Sequence, residues 1–169
     1  MKKIKKLLLT STLIGTFLLA STLTFSKNSA TFTIQNESNY TVVLNTPNFS
    51  SNNYSFTSPK NTILPQSTVS NFQIIETNTS NTPEKFSLNF ALQHSSLGKT
   101  FTTSTNQELQ VLLNNGNLSK AFITETAQPQ SYIPVKLTIN GSNQLLNPVN
   151  NTFVLTLTTN STFSNSSLF

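Results

Sequence analysis

The amino-acid sequence predicts an all-β protein, an antiparallel β-sandwich of about eight to ten short strands behind a cleaved signal peptide. Three observations carry that expectation. Apolar and polar residues alternate with period two in short runs, Pro-, Gly- and Asn-containing turns separate those runs, and no window holds a helical period.

The chain opens Met1-Lys2-Lys3-Ile4-Lys5-Lys6 and continues from Leu7 to Ala20 without a charge. A lysine cluster before a short apolar run is the pattern of a secretory signal. The run is too short and too rich in threonine for a membrane span, which needs about 20 apolar residues. Small residues place the cleaved bond after Ala20, Ser26 or Ala30. The expected organisation is a signal over 1–26 and one domain over 27–169. With no cysteine, lipoprotein processing and a lipid anchor are excluded.

The elements follow in order. Thr31-Phe32-Thr33-Ile34-Gln35 alternates cleanly, and Tyr40 to Leu44 follows a polar turn. Phe49 to Phe56 is a weaker strand between the breaks at Pro47 and Pro59. Thr68 to Glu76 carries Val69, Phe72, Ile74 and Ile75, and a polar linker runs to Glu84. The strongest strand is Lys85 to Gln93, with Phe86, Leu88, Phe90 and Leu92 on one face and Ser87, Asn89 and Ala91 on the other. His94 to Lys99 reads as a loop and Thr100 to Thr103 as a short strand. Glu108 to Leu113 and Leu118 to Glu125 flank Asn115-Gly116, a hairpin cue because both residues accept positive φ. Tyr132 to Ile139 contains Pro134, which cannot donate to a ladder and so marks an edge. Asn140-Gly141 is a second turn, Thr152 to Thr158 the last strong strand, and Thr159 to Phe169 a loose polar tail.

The formal charge of +5 belongs to the precursor. All ten basic residues are lysines, and Lys2, Lys3, Lys5 and Lys6 lie in the signal. Beyond it, six lysines face five glutamates, a net of +1, or zero if cleavage follows Ala30 and removes Lys27. That balance, with no arginine, excludes the basic surface a nucleic-acid ligand requires. Without disulfides, stability rests on sheet hydrogen bonds and apolar burial, and eleven of the thirteen phenylalanines lie beyond the signal, available for a core. Asn, Ser and Thr fill the polar positions, so sequons such as those at Asn36, Asn39, Asn48 and Asn140 arise by composition. The Lys-, Asn- and Phe-heavy usage has the bias of an AT-rich bacterial genome.

Catalytic chemistry finds little to work with. His94 is the only histidine; it stands beside Ser95 and Ser96, but no aspartate exists and no G-x-S-x-G elbow presents a serine. One histidine and no cysteine cannot make a structural zinc site, and a calcium loop lacks its aspartates. Gly98-Lys99-Thr100 is like the end of a P-loop, but Gln93 stands where the first glycine is required and no helix is expected after it. Glu37, Glu76, Glu84, Glu108 and Glu125 are scattered, with no pair at close spacing. The expectation is therefore a protein that is not an enzyme, with no catalytic residues, no cofactor and no metal.

What remains is an exported binding, surface or assembly module, periplasmic or extracellular. Its partner would be a protein, a glycan or a cell surface met through neutral hydrogen bonds; the oligomeric state stays open. A membrane-active or lipid-binding sandwich is the second reading. Thr33 to Tyr40 and Ile63-Leu64-Pro65-Gln66-Ser67 are faintly similar to the opening of sandwiches such as the aegerolysins. That family is rich in tryptophan and usually has no signal peptide, and this chain departs on both points, so no membership is drawn. A small outer-membrane β-barrel is the third reading, prompted by terminal Phe169. Stepping back by two from Phe169 meets Ser167, Asn165, Phe163, Ser161 and Thr159 before Leu157, so polar groups would face lipid.

Overall fold

The structure, a computed structural model, describes residues 28–96, 99–125, 135–146 and 148–160. The signal segment, Tyr132, Pro134 and the tail beyond 160 lie outside the described residues.

Within them the chain forms strands and turns without a helix. The strands are β1 (Ser29–Glu37), β2 (Thr41–Leu44), β3 (Asn48–Phe49), β4 (Tyr54–Thr57), β5 (Thr62–Ile63), β6 (Ser67–Glu76), β7 (Glu84–Ser96), β8 (Lys99–Asn114), β9 (Asn117–Glu125), β10 (Val135–Ile139), β11 (Gln144–Leu146) and β12 (Thr152–Thr159). Nine of them have four residues or more; β3, β5 and β11 are shorter pieces that apolar periodicity is too brief to reveal.

They pack as two sheets. The first has the order β10-β12-β1-β6-β4, and the second the order β11-β9-β8-β7-β2-β5, with β3 pairing β7 beyond the end of β2. All pairs are antiparallel except β1 with β12, which run parallel in register from Thr31 opposite Thr152 to Glu37 opposite Thr158. The first and last described strands therefore lie side by side inside one sheet. Each sheet keeps open edges rather than closing on itself. The expected sandwich is what forms, and the outer-membrane barrel is set aside, because a spanning barrel must have no edge.

Alternation decides which side chains meet between the sheets. Phe32, Ile34, Phe72, Ile74, Phe153, Leu155 and Leu157 point in from the first sheet; Phe86, Leu88, Phe90, Leu109, Val111 and Leu113 from the second; all are buried. Phe32 stacks on Phe153 at 4.9 Å and on Phe72 at 5.2 Å between ring centroids. Phe56 of β4 crosses to Phe86 of β7 at 5.4 Å, joining the layers. Burying a Phe or Leu side chain is worth roughly 1.5–3 kcal/mol, so these residues supply the stability that disulfides supply elsewhere.

Both Asn-Gly turns form as expected. Asn115 and Gly116 have φ of 49° and 71°, and Asn140 and Gly141 have φ of 47° and 78°, the left-handed pair that tight hairpins need. Strand β10, which follows Pro134, lies at an edge. Two regions differ from expectation. Phe49 to Phe56 is not one strand: Asn48–Phe49 pairs β7 in the second sheet, bends follow over 50–53, and Tyr54–Thr57 pairs β6 in the first. His94 belongs to no loop: β7 continues to Ser96 and β8 returns from Lys99 as one long hairpin, with a register shift opposite Phe90. His94, Ser95, Lys99, Thr100 and Thr102 are exposed there, so this stretch lacks the one-sided apolar pattern that betrays a strand.

Candidate functional site

The same alternation that buries one face of each sheet presents the other to solvent, and the two outer faces differ in chemistry. On the second sheet, β7, β8 and β9 set Lys85 opposite Leu112 and Leu112 opposite Lys120, Ser87 opposite Gln110 and Gln110 opposite Phe122, and Asn89 opposite Glu108. That face mixes both charges with large apolar groups. On the first sheet nearly every outward residue is a neutral hydroxyl or amide.

The register arranges these residues in rows. Thr57, Gln73, Thr31 and Thr152 form one row across β4, β6, β1 and β12. Thr33 and Val154 form the next, with the Thr33 hydroxyl donating to Ser70 Oγ at 3.4 Å. Thr68, Gln35, Thr156 and Thr138 form a third, reaching β10. Glu37, Thr158 and Lys136 close the array, so charge appears only at this end of the rows. Strands stand about 4.8 Å apart and alternate residues about 6.7 Å along each strand. The outcome is a two-dimensional grid of short donors and acceptors on a stiff support. β-Branched threonine has few rotamers to lose on contact.

A shallow depression of about 250 Å³ sits in this face, lined by Thr31, Thr33, Thr152, Val154, Asn71 and Asn140 over the backbone of Phe32 and Phe153. Two local irregularities make it. Between the pairs Phe32–Phe72 and Ile34–Val69, β6 carries one more residue than β1, and the bulge puts Asn71 at φ 67°. Across the depression the β10–β11 turn brings up Asn140, whose Oδ1 accepts the Val154 N–H at 2.8 Å. Both asparagines hold the left-handed conformation that their side chains tolerate better than most. Val154 is the apolar element of the rim, 37% exposed.

No family model, no curated protein and no solved structure matches this chain.

The residues singled out for chemistry lie elsewhere, and only Glu76 and Glu84 come near one another. His94 sits on β7 with its Cα opposite that of Phe101, and its ring lies 5.6 Å from Tyr40 in a tilted arrangement. Lys99 and Thr100 open an extended strand, not a helix, and Gly98 is outside the described residues. Glu37 accepts from Gln35 at 2.7 Å, Glu108 from Gln110 at 2.6 Å, and Glu125 from Gln107 at 2.7 Å. Among the described residues no three of His, Cys, Asp and Glu converge as a metal site would require.

Glu76 and Glu84 are drawn together at one end of the sandwich, and sequence spacing does not reveal it. Both are buried, at the end of β6 and the start of β7. Glu84 accepts from the Ser51 hydroxyl and from Asn53 Nδ2 at 2.8 Å. Glu76 accepts from Asn28 Nδ2 at 3.1 Å and from the Ser80 N–H at 3.4 Å. Burial raises the Glu84 carboxyl, but the bonds from Ser51, Asn53 and Ser80 outweigh it and hold the group below its ordinary range. Burial pushes the neighbouring Tyr54 phenol up; the Gly116 N–H opposes this, and the two carboxylates add to it. A carboxylate saturated with donors is a poor base, and these bonds tie together the segments around Asn28, Ser51, Asn53 and Ser80.

The sequence contained the grid only in part. Thr31, Thr33 and Gln35 on β1 and Thr152, Thr156 and Thr158 on β12 mark an outward polar face. That these two strands are neighbours depends on a parallel pairing of segments more than a hundred residues apart, which no local pattern announces.

Proposed function

We propose that this protein is an exported, non-enzymatic binding module that contacts its partner through the outer face of the first sheet. Export rests on the lysine cluster and apolar run at residues 1–20, the form of a signal peptide. The observation that carries the binding reading is the grid of Thr, Ser and Gln side chains, with charge confined to Glu37 and Lys136 at one end. A solvent-facing sheet of a soluble protein ordinarily intersperses lysine and glutamate for solubility. Here that device is missing from one face and present on the other. A neutral hydroxyl–amide surface favours an uncharged, hydrogen-bonding partner and imposes little salt dependence, since no ion pairs are screened.

The test places one charge in the middle of each outer face. Thr156→Lys on the first sheet and Asn89→Lys on the second are compared with the wild-type protein for adsorption to the cell envelope of the source organism and to neutral polysaccharides. Adsorption that persists at high salt and is lost only in Thr156→Lys supports the reading. Adsorption equally retained in both variants, or a turnover activity dependent on His94 or any glutamate, overturns it.

A further inference from the structure

We infer that the depression between Asn71 and Asn140 is a subsite for a single uncharged sugar ring, and that the partner of the face is a neutral polysaccharide. The inference rests on the binding-face reading above and specifies its ligand. Drug-sized ligands occupy pockets of about 300–1,000 Å³; at about 250 Å³ this depression suits one ring unit of a longer chain. The rest of the chain would lie along the rows that continue on either side of it.

The lining matches the chemistry of a sugar. A pyranose offers hydroxyls around its edge, each both donor and acceptor, and a patch of C–H groups on its face. Asn71 brings a carboxamide with paired donor and acceptor, and Asn140 on the opposite wall brings its Nδ2 donor. Asn140 is oriented for this: its Oδ1 is committed to the Val154 N–H, which turns the Nδ2 donor away from that bond. Thr31, Thr33 and Thr152 add hydroxyls that donate or accept as the ligand requires, together with methyl groups. The Val154 side chain, 37% exposed, lines the depression with those methyls and gives it an apolar element for the C–H face. An aromatic platform is absent from the rim, so each ring binds weakly and the polymer holds through repeated engagement along the grid.

No charged side chain lines the depression. A phosphate, sulfate or uronate would meet hydrogen-bond donors but no counter-charge, and a cationic ligand would meet no carboxylate. The lining thus selects against ionic ligands by leaving their charge uncompensated.

The experiment is co-sedimentation of the purified protein with insoluble cellulose, chitin and mannan, at low and high salt, for wild type, Asn71→Ala, Asn140→Ser and Thr156→Lys. Asn140→Ser keeps a short oxygen for the Val154 N–H, and thermal melts check that every variant is folded. The expected result is salt-insensitive retention on at least one polysaccharide, reduced about tenfold by each asparagine change, abolished by Thr156→Lys, and competed by the soluble oligosaccharide. If retention is lost in Thr156→Lys but unchanged in both asparagine variants, the face stands and the subsite falls. If no neutral polysaccharide is retained while the cell envelope still is, in a manner Thr156→Lys abolishes, the sugar inference is overturned and the face again stands. If Thr156→Lys changes nothing, both fall together.

Discussion

The Tyr54 hydroxyl accepts the Gly116 N–H at 3.0 Å, 62 residues away, and so ties the edge strand β4 of one sheet to the β8–β9 hairpin of the other. Gly116 is buried at the tip of that hairpin, and its amide has turned inward because φ is positive. The Asn28 side chain closes the same corner, donating to both Glu76 and the Asn115 carbonyl. Four segments distant in sequence thus meet at one point through polar groups alone.

Removing the hydroxyl isolates its contribution. Tyr54→Phe keeps the ring that packs beside Phe49 but leaves the Gly116 N–H without this acceptor. An orphaned buried donor costs about 1–3 kcal/mol. Chemical denaturation should show that loss as a lower midpoint with an unchanged slope.

The two turn glycines should separate sharply when each is changed to alanine. A Cβ at Gly116 would stand 2.3 Å from the Asn28 Cβ and 2.6 Å from a Glu76 carboxylate oxygen, while one at Gly141 meets nothing within 4 Å. Gly141→Ala pays only for a left-handed alanine, about 1–2 kcal/mol. Gly116→Ala adds a clash with a side chain already bonded in place, and should cost at least about 2 kcal/mol more. Paired thermal melts read the difference directly.

Asn36 predicts a larger loss than its polarity implies. It is buried at the inward side of β1, where its Nδ2 donates to the carbonyls of Tyr40, Leu64 and Ile63, and its Oδ1 accepts from the Ser38 N–H and hydroxyl. Asn36→Leu would fit the apolar pattern of the strand yet strand several of these groups. The expected destabilisation is about 2–4 kcal/mol from more than one unsatisfied group, measurable by denaturant titration.

Glu84 predicts the acid limb of the stability curve. Its folded carboxyl titrates below its ordinary value because of the Ser51, Asn53 and Ser80 donors. A depressed carboxylate contributes stability that is complete above the unfolded pKa, about 4.3. The contribution disappears as pH falls through the lower folded value. Glu84→Gln should therefore be destabilised at neutral pH, with the gap to wild type narrowing below about pH 4. A gap that stays constant across that range would remove Glu84 from the account.

Local pattern sufficed wherever one face of a strand was apolar and the other polar. Phe86 to Leu92 and Phe153 to Leu157 alternate in residue type, and Phe86, Leu88, Phe90, Leu92, Phe153, Leu155 and Leu157 are the buried apolar set; on β7 Ser87 and Ala91 of the other face are covered too. Asn115-Gly116 and Asn140-Gly141 were legible because positive φ is written into the residue types. The arm of β7 and β8 around His94 was not, because the run of Gln93, His94, Ser95 and Ser96 is polar throughout and period two leaves no mark there. The bulge at Asn71 was hidden for a related reason: one extra residue makes Val69, Phe72 and Ile74 read as an irregular strand.

By itself the sequence determined the class of fold, the two Asn-Gly turns and the neutral, cysteine-free chemistry available to any surface, since each depends on residue type or on neighbours a few positions away. Only the tertiary structure decided that β1 and β12 lie side by side, that Glu76 and Glu84 share a corner with Tyr54, and that Asn71 and Asn140 face each other across a threonine-lined depression. Those relationships join residues tens of positions or more apart in the chain. Their partners are chosen by how two sheets share one core, and a one-dimensional pattern carries no record of that choice.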